Sequence, residues 1–247
     1  IRTNERAIEA DETYIRSQNP ALGAYVAGYY PHNYDFLAFA AAMIRREEQA
    51  ISAAEKMAAL AIPEMLRAPG MTFTQHHLTR HLQMKVRFAR WQDILRAEPP
   101  AEDLPHARAM WSYARGRAQA AQGATAQAEA DLAHVRAARD DKALASQRLE
   151  FNTSGQILAI AAEVLAGHIA QAKGEHAAAI AHLRKAAQLE DELTYGEPPE
   201  WSVPVRQELG LALIRAARPA EAAQAFREDL KRFPENSWSL AGLEQAH

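Results

Sequence analysis

The residues best suited to chemistry in this sequence are histidines that stand near carboxylates or near each other. His32 and Asp35 are three apart, which on a helix places them on one face. His77 and His81 are four apart, a spacing that lets two imidazoles share a metal ion. If the helix carrying His76 packs beside the one carrying His32, at the usual separation of about 8–10 Å, then His32, Asp35 and His76 could converge on one ion. Two imidazoles and one carboxylate would suit zinc or non-haem iron. No His-Glu-x-x-His run makes either spacing diagnostic. The competing assignment is plain: a solvated helix face for His77 and His81, and a helix-start residue after Pro31 for His32.

Other catalytic schemes find less support. The chain has no cysteine, which removes disulfides, thiolate-bound zinc and thiol nucleophiles together. Thr153-Ser154-Gly155 follows no strand and sits in no Gly-x-Ser-x-Gly frame, so it is not a nucleophile elbow. The glycines fall singly and form no phosphate-cradling loop, and Glu47-Glu48 and Glu190-Asp191-Glu192 are expected on exposed helix surface. The sequence therefore specifies no catalytic set and no cofactor. A net charge of −3 and a pI near 6.4 leave no basic surplus to neutralise phosphates, so no nucleic-acid partner is expected. No apolar run approaches the ~20 residues that cross a bilayer, so no membrane span is expected either. Ile1-Arg2-Thr3-Asn4 is neither a start site nor a signal peptide, and the compartment stays open.

The elements that must position these side chains are helices. Much of the apolar content is alanine, the best helix former, and no stretch alternates like a strand for long. Self-comparison exposes a repeated unit. Val203 to Pro234 carries Leu209-Gly210 and Leu213, then Ala222 and Phe226, then Pro234 as terminator. The same frame fits Gly167, Gly174, Ala179 and Leu183; Gly116, Gly123, Ala128 and Leu132; and Ala38, Ala50, Ala54 and Pro63. A weaker copy runs from Gln75 through Leu82 to a short helix at Arg90-Trp91-Gln92-Asp93-Ile94, closed by Pro99-Pro100. Small residues at the first and third of these positions let two antiparallel helices touch, while the larger apolar one fills the gap to the next unit.

These offsets resemble the tetratricopeptide repeat. The resemblance implies an all-α, right-handed α-α superhelix of about five helical pairs, with repeats at 31–63, 75–100, 109–140, 160–194 and 203–234. Spacings beyond the ~34-residue period of a simple array place extra residues at Ala61–Thr74, Asp141–Ser154 and Leu193–Trp201. Residues 1–19 align with the second half of a repeat, so further repeats are expected upstream, and 235–247 reads as a terminal helix over the open end of one continuous solenoid. More narrowly, the chain resembles a group of bacterial repeat proteins, on Gly28-Tyr29-Tyr30-Pro31-His32-Asn33, Val86-Arg87-Phe88-Ala89-Arg90-Trp91, Trp111-Ser112-Tyr113-Ala114-Arg115-Gly116, Glu197-Pro198-Pro199-Glu200-Trp201 and Asn236-Ser237-Trp238-Ser239-Leu240. No reaction attaches to that group. Its members carry histidine where this chain has Asp35 and Ser112.

The resemblance implies that the first helix of each repeat lines a concave groove. The register then points His32, Asp35 and Phe39 inward from the first full repeat, and His76, Thr79 and Gln83 from the second. Tyr113 and Arg117 follow from the third, Val164, His168 and Gln171 from the fourth, and Gln207 and Leu211 from the fifth. Such a lining suits an extended peptide, or a small polar ligand whose carboxylate Arg117 could pair. The expected function is a binding or scaffold module for a protein or peptide partner, and the alternative is a metal- or small-molecule-binding protein using His32, Asp35 and His76. Trp91, Trp111, Trp201 and Trp238 are expected to pack between repeats, with Trp111 beside Tyr113 and Arg115 as the one arrangement worth testing.

Overall fold

The computed structural model describes residues 1–21, 23 and 25–246; Leu22, Ala24 and His247, the last of which ends the terminal segment expected at 235–247, lie outside the described residues. The chain is all-α, with thirteen α-helices and no strand among the described residues. They are α1 Arg2–Gln18, α2 Tyr30–Met43, α3 Glu47–Ala59, α4 Thr72–Arg87, α5 Trp91–Leu95, α6 Pro105–Ala121 and α7 Thr125–Asp140. After these come α8 Lys142–Ala145, α9 Ser154–Ala172, α10 His176–Asp191, α11 Val205–Arg215, α12 Pro219–Arg232 and α13 Ser237–Gln245.

Five helical pairs, α2–α3, α4–α5, α6–α7, α9–α10 and α11–α12, are closed by one and the same turn. In each, a residue in the left-handed region follows the first helix: Arg45 (φ 59°), Ala89 (φ 55°), Gly123 (φ 78°), Gly174 (φ 79°) and Ala217 (φ 55°). The next N–H reaches back five residues in every case. Arg46 donates to Ala41, Arg90 to Lys85, Ala124 to Gln119, Glu175 to Ala170 and Arg218 to Leu213, all at 2.9 Å. This is the Schellman cap, which satisfies carbonyls that a helix end would otherwise leave bare. Two of the five turns use glycine. The other three hold a side chain where the left-handed conformation costs about 1–2 kcal/mol.

Close helix contact follows from small residues at the crossing points. Phe226 of α12 is clamped between Gly210 of α11 and Gly242 of α13: a Cβ on either glycine would lie 2.4 Å from the ring. Only a residue without a side chain fits there. The long helix α9 is the centre of the larger core, with Ile157, Leu158, Ile160 and Leu165 fully buried against α6, α7 and α10. Thr153 and Gln156 cap its start reciprocally. At 19 residues α9 is long and apolar enough, by length and composition, to cross a bilayer, an exception to the sequence expectation; here most of it is buried inside the fold. A second core joins α1, α2 and α3 to Met84 of α4.

The terminal helix does more than cover an end. Trp238 at the start of α13 donates its indole N–H to the Ala42 carbonyl at 2.8 Å, and Phe233 meets Phe39 edge-on at 6.0 Å between ring centroids. The last helices thus touch α2, and the helical pairs curl around a concave interior.

Candidate functional site

The interior has two parts, and the chain itself fills the first. The segment after α10, ending in Glu197–Trp201, folds back across the inner faces of α4 and α6. The Glu200 carboxylate accepts backbone N–H groups of Glu150 (2.8 Å), Phe151 (3.0 Å) and Asn152 (3.1 Å), which clasps the segment ahead of α9 to it. Its carbonyl accepts from Arg80 at 3.0 Å and contacts His76 Nε2 at 2.9 Å. Ser202 donates to Gln83 at 2.8 Å, and Trp201 lies edge-on to Tyr113 at 5.4 Å. Two of the stretches that lengthen the repeats, Asp141–Ser154 and Leu193–Trp201, thus meet at this seam.

The seam accounts for six of the expected ligand residues. Asp35 is buried and accepts Arg80 Nη2 at 2.6 Å, in an ion pair of two almost fully enclosed side chains. Thr79 donates to the His76 carbonyl, Gln83 receives Ser202, and Tyr113 packs under Trp201. His32 is half-buried with Nδ1 3.8 Å from Glu150 Oε1, and His77 Nε2 sits 2.9 Å from the same oxygen.

The expectation that His32, Asp35 and His76 converge on an ion is corrected here. Asp35 is committed to Arg80, and both nitrogens of His76 are occupied. Because the Glu200 carbonyl can only accept, His76 Nε2 donates to it; His76 Nδ1 then accepts from His106 Nε2 at 3.0 Å. His106 Nδ1 in turn accepts from Ser154 Oγ at 2.7 Å. The chain Ser154–His106–His76 is neutral and self-consistent. Burial lowers both imidazoles, His106 to about 3 and His76 well below its ordinary value, with the Arg80 charge adding to the effect on His76. Ser154 and His106 are fully enclosed, so no substrate reaches them. His81 donates to the Leu78 carbonyl and shares no ligand with His77. Among the described residues no group of three His, Asp or Glu side chains is placed to hold a metal ion.

The second part of the interior is open. A cavity of about 800 Å³ lies where the C-terminal ends of α4, α6 and α9 meet α11 and α13. Its aromatic and aliphatic wall includes Trp91, Leu211, Phe226 and Trp238, and its polar wall includes Arg45, Arg87, Arg117, His168, Glu208 and Arg215. Of the expected residues, Arg117, His168, Gln171, Gln207 and Leu211 line it. Phe39 instead packs on Phe233, and Val164 is fully buried in the core.

Arg117 is not free to bind a carboxylate, as had been expected. It donates to Glu208 Oε1 at 2.6 Å and to Tyr113 Oη at 2.9 Å. Burial alone would raise the Glu208 carboxyl, but Arg117 and His168 outweigh it and hold the group near 2. His168 Nε2 approaches Glu208 Oε1 at 3.3 Å without the alignment of a hydrogen bond. Gln207 donates to Asp229 at 3.1 Å, and Gln171 keeps an unpartnered side-chain nitrogen.

Sequence reasoning missed the arginines that matter most. Arg87 is about nine-tenths buried, its Nε has no partner, and its one side-chain hydrogen bond among the described residues runs from Nη2 to Met43 Sδ at 3.7 Å. Arg45 and Arg87 lie 4.8 and 4.7 Å from the centroid of the Trp238 ring. Asp229 and Glu208 act on Arg87 only from beyond ion-pair distance, and Asp229 Oδ2 is taken by Gln207, Asn236 and Ser239. A signal was present: aligned on the repeats, Arg45 occupies the position that Gly123 and Gly174 hold in other turns. The packing of the Trp residues is mixed. Trp111 is buried, bonded to the Ala97 carbonyl and stacked under Arg115, which is itself forked onto Asp131; Trp238 faces the cavity.

Comparison with protein-family models, with curated proteins and with solved structures finds no match to this chain.

Proposed function

We propose that the chain is a tetratricopeptide-like, right-handed α-solenoid that works as a binding module, holding an extended segment of a partner protein in the cavity beside α11. The observation that carries this reading is the cavity itself. It is open, about 800 Å³, and lined by aromatic surface together with polar and charged side chains. A wall of that kind suits main-chain amides and a few anchoring side chains. The solenoid part of the reading draws on the five equivalent turns, because stacking of like units on their neighbours is what defines such an array. The enclosed Ser154–His106–His76 chain favours a structural role over acyl transfer, since a nucleophile must be reached by its substrate.

The test is selection of peptides from a random library on the whole chain, repeated with Leu211→Trp. Leu211 is exposed at the cavity wall, so the larger ring narrows the space without touching the core. Peptides captured by the parent and lost with Leu211→Trp support the reading. Capture that is indifferent to Leu211→Trp, or no capture at all, removes it.

A further inference from the structure

We infer that this cavity is an oxyanion-binding site, in which Arg45, Arg87 and Arg215 receive a carboxylate or phosphate group of the ligand. The inference rests on the cavity being the binding site and adds the charge and chemistry of what enters it.

The first ground is the balance of charge. Four guanidinium groups line the cavity, and Glu208 is the one carboxylate among the lining residues. Its Oε1 is engaged by Arg117 and approached by His168, while Oε2 is buried without a partner. Arg45, Arg87 and Arg215 make no ion pair among the described residues, whereas most arginines of this chain do. The second ground is desolvation. A buried cation without a counter-ion is costly, and proteins keep one mainly where something else supplies the opposite charge. Arg87 is that case, since its Nε is buried and unbonded and the group faces the cavity. Within the chain its charge is balanced only at a distance: by the Trp238 ring face, by the partial negative charge at the C-terminal ends of α4, α6 and α9, and by Asp229 and Glu208 from beyond ion-pair distance. Burial pulls the Arg87 guanidinium down to about 10, so it is still cationic at neutral pH.

The third ground is the placement of the Arg45 side chain. Arg45 sits at φ 59°, in a turn whose equivalents use Gly123, Gly174, Ala89 and Ala217. Of these five residues only Arg45 carries a long charged side chain. That side chain is stacked on the Trp238 ring at the cavity wall, opposite no carboxylate. Planar guanidinium groups match carboxylate and phosphate oxygens in a fork, and two of them beside one aromatic ring preorganise such a contact.

Three probes separate the sources of the oxyanion: inorganic phosphate, a short capped peptide of alternating Glu and Leu, and the same peptide with Gln in place of Glu. Binding is followed by calorimetry and by tryptophan fluorescence, since Trp91 and Trp238 line the cavity. The variants are Arg45→Gly, Arg87→Met and Arg215→Gln. Arg45→Gly keeps the fold by design, because it supplies the residue the turn prefers. The expected result is binding of the Glu peptide, of phosphate or of both. It weakens roughly tenfold or more with each variant, as loss of a charge-assisted hydrogen bond requires, and declines with added salt. Arg45→Gly should at the same time unfold at higher denaturant, a combination that a structural role for Arg45 would not produce. Phosphate binding without peptide binding keeps the oxyanion site and removes the peptide reading. Equal binding of the Glu and Gln peptides keeps the peptide reading and overturns the oxyanion site. Binding of no probe, or binding unmoved by Arg45→Gly and Arg215→Gln, overturns it as well.

Discussion

Asp35 offers the sharpest test of whether a residue on the expected groove binds ligand or holds the fold. Its carboxylate meets Arg80 at 2.6 Å, with both side chains nearly sealed from water. Replacing Asp35 by Ala leaves Arg80 with the neutral carbonyls of Glu200 and Pro199 and the amide of Gln83, and its Nε is already unpartnered. An uncompensated buried charge of this kind costs ~3–5 kcal/mol. Arg80→Met alone strands the carboxylate in the same way. The double variant removes both charges and should recover about 2 kcal/mol of the summed losses, within the coupling measured for contacting residues. Urea unfolding followed by far-UV circular dichroism gives the four stabilities, provided the slope with denaturant stays constant. Stability of Asp35→Ala within ~0.5 kcal/mol of the parent would refute the argument, since that is the range of an ordinary surface change. So would a purely additive double variant. Binding at the cavity should be untouched by Asp35→Ala under conditions where it remains folded, because Asp35 does not line that space.

Three further outcomes follow from the same geometry. The neutral Ser154–His106–His76 chain has imidazoles whose folded values lie below the ordinary ~6.5, so the unfolded state binds more protons as pH falls; its contribution should be complete above about pH 6.5 and lost progressively toward about pH 3. Urea midpoints measured across that range should rise with pH in the parent and rise less in His106→Gln, with His81, lowered to about 4 by burial and Lys85, supplying part of the remaining slope. Gly210→Ala gains about 1 kcal/mol of helix propensity but drives a methyl to 2.4 Å from a Phe226 ring that Gly242 prevents from retreating; overpacking of ~1–3 kcal/mol or more should win, giving a lower melting temperature, and Phe226→Leu should relieve it. Ala217→Gly relieves about 1–2 kcal/mol of left-handed strain against ~0.4–1 kcal/mol of added chain entropy, so a net gain of roughly 0.5–1 kcal/mol should appear as a higher urea midpoint.

Local chemistry made a good deal of this protein legible from its sequence. The alanine-rich chain without strand alternation is all-α. Gly123 and Gly174 mark turns because only they adopt the left-handed conformation freely, and the short helix at Trp91–Leu95 ends before Pro99-Pro100 because proline cannot continue it. Gly210 stands where Phe226 must enter, a pairing set by size alone. Such features depend on neighbours along one or two helices.

The tertiary structure decided the rest. Helix register indicates which side chains turn inward, but it does not say that the segment through Ser202 returns to cover His76, Gln83 and Tyr113, since those contacts join residues far apart in the chain. Nor does it say that Asp35 finds Arg80 and Arg117 finds Glu208, or that Arg87 finds no carboxylate. An arginine looks the same in sequence whether it is solvated, paired or stranded. Only the positions of every other charge around it, fixed by how the helices close on one another, settle which of these it is.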